Sequence, residues 1–99
     1  MSYRVHVAPA AREDLKRLYA FQLERDLAVA ERALESIVKS MELLRDFPFS
    51  CRKATAENPF LRELVIPFGA AGYVALFEIV DDKTVAILAV RHQLEEDFH

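Results

Sequence analysis

A chain of 99 residues has room for one hydrophobic core and no second domain. Its 53% hydrophobic and 29% charged residues, with two glycines and four prolines, exclude a disordered or low-complexity chain and, with so few glycines, a phosphate-binding P-loop. The net charge of −3 combines eight acids and eight bases in residues 1–49 with eight acids against five bases in residues 50–99, so the basic surplus of proteins that grip phosphate backbones is missing and direct nucleic-acid binding is not expected.

Tyr3, Val5 and Val7 alternate with Arg4 and His6, which predicts a strand with one buried face. Pro9 then opens a helix, with Glu13 and Asp14 expected at its positive end. Ala11, Leu15, Leu18 and Tyr19 form its apolar stripe and Gln22 continues it. Phe21 and Leu23 carry apolar surface beyond that face, where a partner could dock.

Asp26 is a good N-cap for a second helix. Ala30, Ala33, Leu34, Ile37, Met41 and Leu44 form the inner stripe, and Glu35 and Lys39 stand at the favourable i,i+4 spacing on the outer one. The two helices read as a hairpin ended by Pro48, followed by a loop over 49–59.

Strands are predicted over 60–68, 73–80 and 84–90, joined by turns at Gly69-Ala70-Ala71-Gly72 and Asp81-Asp82-Lys83. The last strand is apolar on both faces, with Val85, Ile87 and Ala89 on one and Ala86, Leu88 and Val90 on the other. That pattern marks an interior strand or one covered on both sides. Continued, it puts Arg91 after Ala89 and His92 after Val90. The order β-α-α-β-β-β predicts a two-layer α+β domain over 1–99, with the hairpin on a three-stranded antiparallel meander.

The longest apolar run, 64–80, carries Pro67, Gly69, Gly72 and Glu78 and falls short of the roughly 20 residues a membrane span needs. MSYRVHVAPAARED has no signal-peptide core, so a cytoplasmic protein is expected. Cys51 stands alone, without disulfide or zinc spacing. His6, His92 and His99 share no ligand spacing, so neither metal nor other cofactor is expected.

One set of residues could carry chemistry. Cleavage of RNA through its 2′-hydroxyl needs a base, an acid and cations for the phosphate. Arg62 and Arg91, at strand ends, could supply the cations, and His92 with Glu95 the proton transfers. The plainer reading has Arg62 and Arg91 pairing with a neighbouring carboxylate or capping the sheet, and gives His92 a structural hydrogen bond.

The layout APAAREDLKRLYAF, AVAERALESIVKSMELLRDFP, LRELVIPFGAAGYVALFEI and VAILAVRHQ resembles the ParE toxins of the RelE/ParE superfamily along essentially the whole chain. Its most specific pieces are the LRELVIPFG strand and the closing VRHQ. Family members often carry serine or threonine before the helix-opening proline, where this chain has Ala8.

The resemblance implies a plasmid-stabilisation toxin, held inactive by a cognate ParD-like antitoxin whose disordered C-terminal segment folds over it. ParE-like members act on DNA gyrase and RelE-like members cut messenger RNA on the ribosome. The closing LEEDFH has Phe98 in place of a phenol, and its three acids would repel a phosphate backbone. A ParE-like gyrase inhibitor without catalytic residues is therefore expected, with Arg62, Arg91, His92 and Gln93 as a partner-contacting rim. The alternatives are a RelE-like messenger-RNA endonuclease using Arg62, Arg91, His92 and Glu95, or a non-toxic interaction domain. The antitoxin is expected either at an exposed edge of the hairpin near Leu15, Leu18, Tyr19 and Gln22 or at a sheet edge.

Overall fold

The computed structural model describes residues 2–94. Strand β1 (Arg4–Val7) leads into helices α1 (Pro9–Leu23) and α2 (Leu27–Glu42); short 3₁₀ turns at Leu43–Arg45 and Pro48–Ser50 follow. Strands β2 (Arg52–Lys53), β3 (Leu61–Phe68), β4 (Ala71–Ile79) and β5 (Thr84–His92) complete the chain. They form one five-stranded sheet in the order β1-β5-β4-β3-β2.

The two-layer α+β arrangement expected from the sequence is present. The meander β3-β4-β5 is antiparallel throughout. β1 lies parallel to β5, which makes β5 the interior strand that its two apolar faces suggested. The sheet gains β2 from the segment expected to be a plain loop, with Arg52 opposite Glu63 and Lys53 opposite Arg62. Two residues are too few to leave a periodic signature, so no pattern in the sequence could reveal that strand.

Helix α1 packs over β5, and α2 over β3. Pro9 starts α1 from an extended Ala8 without a side-chain cap, so the proline's fixed φ sets the start. Glu13 and Asp14 lie beyond the first turn, and Asp14 serves a different purpose described below. Asp26 caps α2 as expected, accepting from the backbone N–H groups of Ala28 at 2.8 Å and Val29 at 3.3 Å. The helix stops at Glu42, earlier than Pro48, and 3₁₀ turns carry the chain onward.

Ala11 and Leu18 of α1 and Ala33, Ile37 and Met41 of α2 meet the inward face of the sheet. That face carries Leu64 and Ile66 of β3, Tyr73, Ala75, Phe77 and Ile79 of β4, and Val85, Ile87 and Val90 of β5. Each large side chain buried here contributes about 1.5–3 kcal/mol. Leu34, expected on the same stripe, is exposed at the edge of α2.

The turn between β3 and β4 is tighter than the expected four residues. Gly69, at φ 63°, carries the left-handed step with Ala70, and Ala71 and Gly72 already belong to β4. Gly72 is needed for a second reason: a Cβ there would overlap the carbonyl oxygen of Ile66.

Candidate functional site

Which way the residues after Val90 face is decided by one irregularity. Along the β4–β5 ladder Leu76 pairs with Ala89 but Phe77 pairs with Ile87, leaving Leu88 as an extra residue in β5. The bulge shifts the alternation by one, so the inward set runs Val85, Ile87 and then Val90, where strict alternation would have placed Ala89. His92 therefore falls on the helix-covered face, opposite Tyr73. Arg91, opposite Val74, falls on the other face.

Just before the ring of His92, Val90 donates its backbone N–H to Oδ2 of Asp14 on α1 at 2.9 Å. β1 pairs with β5 only as far as Ile87. Asp14 thus supplies an acceptor where the neighbouring strand has ended, and ties α1 to the end of β5. The Arg17 guanidinium lies 3.7 Å from the other oxygen of the same carboxylate.

The His92 ring meets Tyr73 edge to face, 5.5 Å between centroids. Its Nδ1 accepts the backbone N–H of Leu94 at 3.2 Å, so the neutral ring assigned from this bond carries its proton on Nε2. Tyr73 is 1% exposed, and its hydroxyl accepts a hydrogen bond from Nε2 of Gln22 at 3.2 Å. Arg17, Phe21, Gln22, Arg25, Tyr73 and His92 line a cleft of about 470 Å³ between α1 and the end of β5.

Arg62 is elsewhere. It sits opposite Phe77, four residues along β4 from the Tyr73–His92 pair, or roughly 13 Å at strand rise. Its side chain is committed to the segment before β3: Nε donates to the Pro59 carbonyl at 2.7 Å, and Nη1 to the carbonyls of Phe49 at 3.1 Å and Cys51 at 2.8 Å. The guanidinium also lies 5.3 Å from the Phe49 ring centroid. Of the two plainer roles, a carboxylate pair is not what these bonds show; Arg62 caps backbone carbonyls at the start of β3 and staples the loop that carries β2.

The expected rim of Arg62, Arg91, His92 and Gln93 is therefore not one surface. Arg62 is at the far end of the inward face, Arg91 is on the opposite face, and His92 is in the cleft. Gln93 extends the ladder by donating its backbone N–H to Gly72 at 2.8 Å. Glu95 lies outside the described residues. The edge expected from Leu15, Leu18, Tyr19 and Gln22 is also largely turned inward: Leu18 and Gln22 are buried, and Leu15 and Tyr19 are half-buried. No group of three or more potential metal ligands is assembled among the described residues.

Sequence reasoning missed Tyr73, Asp14, Arg17 and Arg25 as parts of this region. A signal existed for the first: a phenol at an inward position of an apolar strand needs a partner, and Gln22 on an otherwise apolar stripe is the matching polar residue. Nothing local could have paired Asp14 with Val90.

A second feature is the outer edge of β1. Arg4 and Ala8 donate their N–H groups toward β5, to Lys83 and Ile87, so the backbone of Val5 faces away from the sheet. Beside it a groove of about 770 Å³ runs to α2, with Tyr3, Val7, Leu15, Val38 and Met41 among its walls. Among the described residues no helix is long and apolar enough to cross a membrane.

A helical hairpin on one face of a five-stranded mixed sheet, with the outer edge of β1 open among the described residues, defines the class: a small two-layer α+β domain. The model of the ParE toxin of the parDE type II toxin-antitoxin system matches residues 5–96, and the chain belongs to this family. It is 35% identical to Toxin RelE3 of Caulobacter vibrioides, over 92% of this chain and 95% of that protein. Toxin RelE1 of the same organism is 29% identical over 97% and 99%. The fold matches a solved chain of the chromosomal ParDE system from P. aeruginosa with a TM-score of 0.73 and 21% identity, covering 92% of this chain and 96% of that one.

Proposed function

We propose that this type II toxin acts by binding and not by catalysis, with DNA gyrase as its target and a ParD-like antitoxin as its inhibitor. The carrying observation is the dispersal of the groups a nuclease would need. Arg62 is held by three loop carbonyls, and Arg91 and His92 lie on opposite faces of the sheet. Transition-state stabilisation of a phosphoryl group requires donors aimed at one point. Membership of the ParE family supports this reading, since gyrase is the target that the resemblance to ParE-like toxins implies.

The antitoxin segment takes the open edge of β1. An extended chain laid there satisfies the outward backbone of Val5 and presses alternate apolar side chains into the groove against Leu15, Val38 and Met41. This choice replaces the hairpin edge, whose Leu18 and Gln22 are already occupied by the core.

In a supercoiling assay with purified gyrase, the toxin stops supercoiling or accumulates cleaved DNA, and pre-incubation with the antitoxin restores activity. Unchanged gyrase activity at several-fold molar excess of toxin would refute the target.

The messenger-RNA nuclease reading keeps two observations in its favour: the similarity to two toxins named RelE, and β2, which sets Arg52 and Lys53 beside Glu63 and Arg62, three bases at one edge. Arg52 there is paired with Glu63 at 2.9 Å. Codon-dependent cuts in ribosome-bound messenger RNA, mapped by primer extension, would establish it; the binding mode predicts none.

A further inference from the structure

We propose that the open edge of β1 selects its occupant by sequence, admitting a short extended segment that sets acidic residues between apolar ones. The inference rests on the reading of this edge as the antitoxin seat, and adds to it the chemistry of the segment that fits.

Backbone groups fix where the segment lies. Arg4 and Ala8 turn their N–H groups toward β5, to Lys83 and Ile87. These directions alternate along a strand, so the backbones of Tyr3, Val5 and Val7 point outward. The outward row is closed at both ends: the Tyr3 N–H donates to the Arg45 carbonyl at 2.6 Å, and the Val7 carbonyl accepts from Nε of Arg12 at 3.3 Å. Between these ends, the Tyr3 carbonyl, both groups of Val5 and the Val7 N–H have no partner among the described residues. The open window is therefore centred on Val5, and the 3₁₀ turn that finishes at Arg45 stands at its Tyr3 end.

Register then assigns the side chains of the occupant. Residues opposite one another on paired strands share a face of the sheet. Those opposite Tyr3, Val5 and Val7 enter the groove against Leu15, Val38 and Met41 and are apolar. Those beside Arg4 and His6 lie on the other face, where both of these residues are exposed. On the β5 side Arg4 and His6 meet Thr84 and Ala86, which carry no charge. A carboxylate brought in beside Arg4 completes an opposite-charge cross-strand pair, and a lysine there is repelled. The acids that line the groove, Glu42 and Asp82, lie outside these cross-strand positions; Glu42 is 3.8 Å from the Arg45 guanidinium. A helix has spent its own backbone groups, and a nucleic acid has no alternating N–H and C=O to offer Val5. An extended peptide has both.

The test titrates the isotope-labelled full chain with a short capped peptide that alternates Val with Asp, and with controls that carry Ser or Lys in place of Asp. The Asp peptide binds most tightly, the Ser peptide about threefold and the Lys peptide about tenfold more weakly. Amide exchange slows at Val5 and Val7 and is unchanged at Arg4 and Ala8, whose N–H groups already bond toward β5. Arg4→Glu reverses the order of the Asp and Lys peptides. Val38→Asp in the groove wall weakens all three, and Lys53→Glu at the far edge of the sheet changes none. Arg4 is exposed, so unchanged thermal unfolding separates altered selectivity from lost fold.

No saturable binding of the Asp peptide, binding without protection of Val5 and Val7, equal affinity for the Asp and Lys peptides, or an order that survives Arg4→Glu overturns the proposal. The cognate antitoxin, added to the Asp-peptide complex, displaces the peptide. An antitoxin that binds without displacing it sits elsewhere on the toxin, which refutes the antitoxin reading of this edge and leaves the peptide selectivity intact.

Discussion

Asp14 of α1 accepts the backbone N–H of Val90 at 2.9 Å, beyond the point where β1 ceases to pair with β5. One carboxylate thereby joins the first helix to the last strand across 76 residues of sequence, and holds the segment that presents His92. Asp14→Ala removes the acceptor and is expected to lower stability by about 1–2 kcal/mol, read in urea unfolding. Asp14→Asn keeps a carbonyl oxygen and loses less. Hydrogen exchange at Val90 rises more than at Ile87 if the bond has the role described.

The Gln22–Tyr73 pair gives a sharper test because both groups are buried. Tyr73→Phe leaves the Gln22 amide without its partner and costs about 1–3 kcal/mol, as does Gln22→Leu for the phenol. The double replacement removes both polar groups together and costs less than the sum. A double-mutant cycle by denaturant unfolding with no coupling beyond error would show that the bond contributes nothing.

Gly69 and Gly72 are needed for different reasons and fail differently. Gly69→Ala has open space but a left-handed backbone, and costs about 1–2 kcal/mol. Gly72→Ala forces a methyl group against the Ile66 carbonyl inside the β3–β4 ladder. It is expected to destabilise by more than Gly69→Ala, measured by thermal unfolding of the two variants side by side.

Burial pushes the Cys51 thiol above its ordinary range, with a hydrogen bond to Ser50 and the Arg62 charge pulling the other way. A thiol whose folded pKa is raised favours folding fully below its unfolded pKa, and the contribution is lost as pH rises through the folded value. Stability should therefore decline in the alkaline range, and Cys51→Ala should flatten that decline. Cys51 should also alkylate more slowly than a free thiol at the same pH, and Arg62→Gln should slow it further.

Arg62 separates a structural role from a catalytic one. Arg62→Lys keeps the charge but loses the fork that reaches the Pro59, Phe49 and Cys51 carbonyls, and should cost about 1–2 kcal/mol with faster proteolysis within 49–59. Loss of toxicity in a growth assay should follow the loss of stability. Lost toxicity with unchanged unfolding would instead place Arg62 in contact with the target.

Much of this protein follows from short-range pattern. Alternation along 3–7, the unbroken apolar run over 85–90, the 3.6-residue stripe of the second helix, Pro9 and the Asp26 cap are each satisfied by neighbours within a turn or a strand, so they can be read locally. The two-layer α+β order follows from them, because an amphipathic hairpin and a one-sided sheet must cover each other. Three outcomes needed the whole chain in three dimensions: the parallel seat of β1 beside β5, the two-residue strand β2, and the bulge at Leu88. A bulge slips the alternation by a single residue, which changes no local propensity yet moves every later side chain to the opposite face. The sequence alone determined that Arg91 and His92 would end an apolar strand. The tertiary structure decided that His92 faces α1 beside Tyr73 while Arg91 faces away, because that choice rests on pairing with β4, a partner distant in sequence.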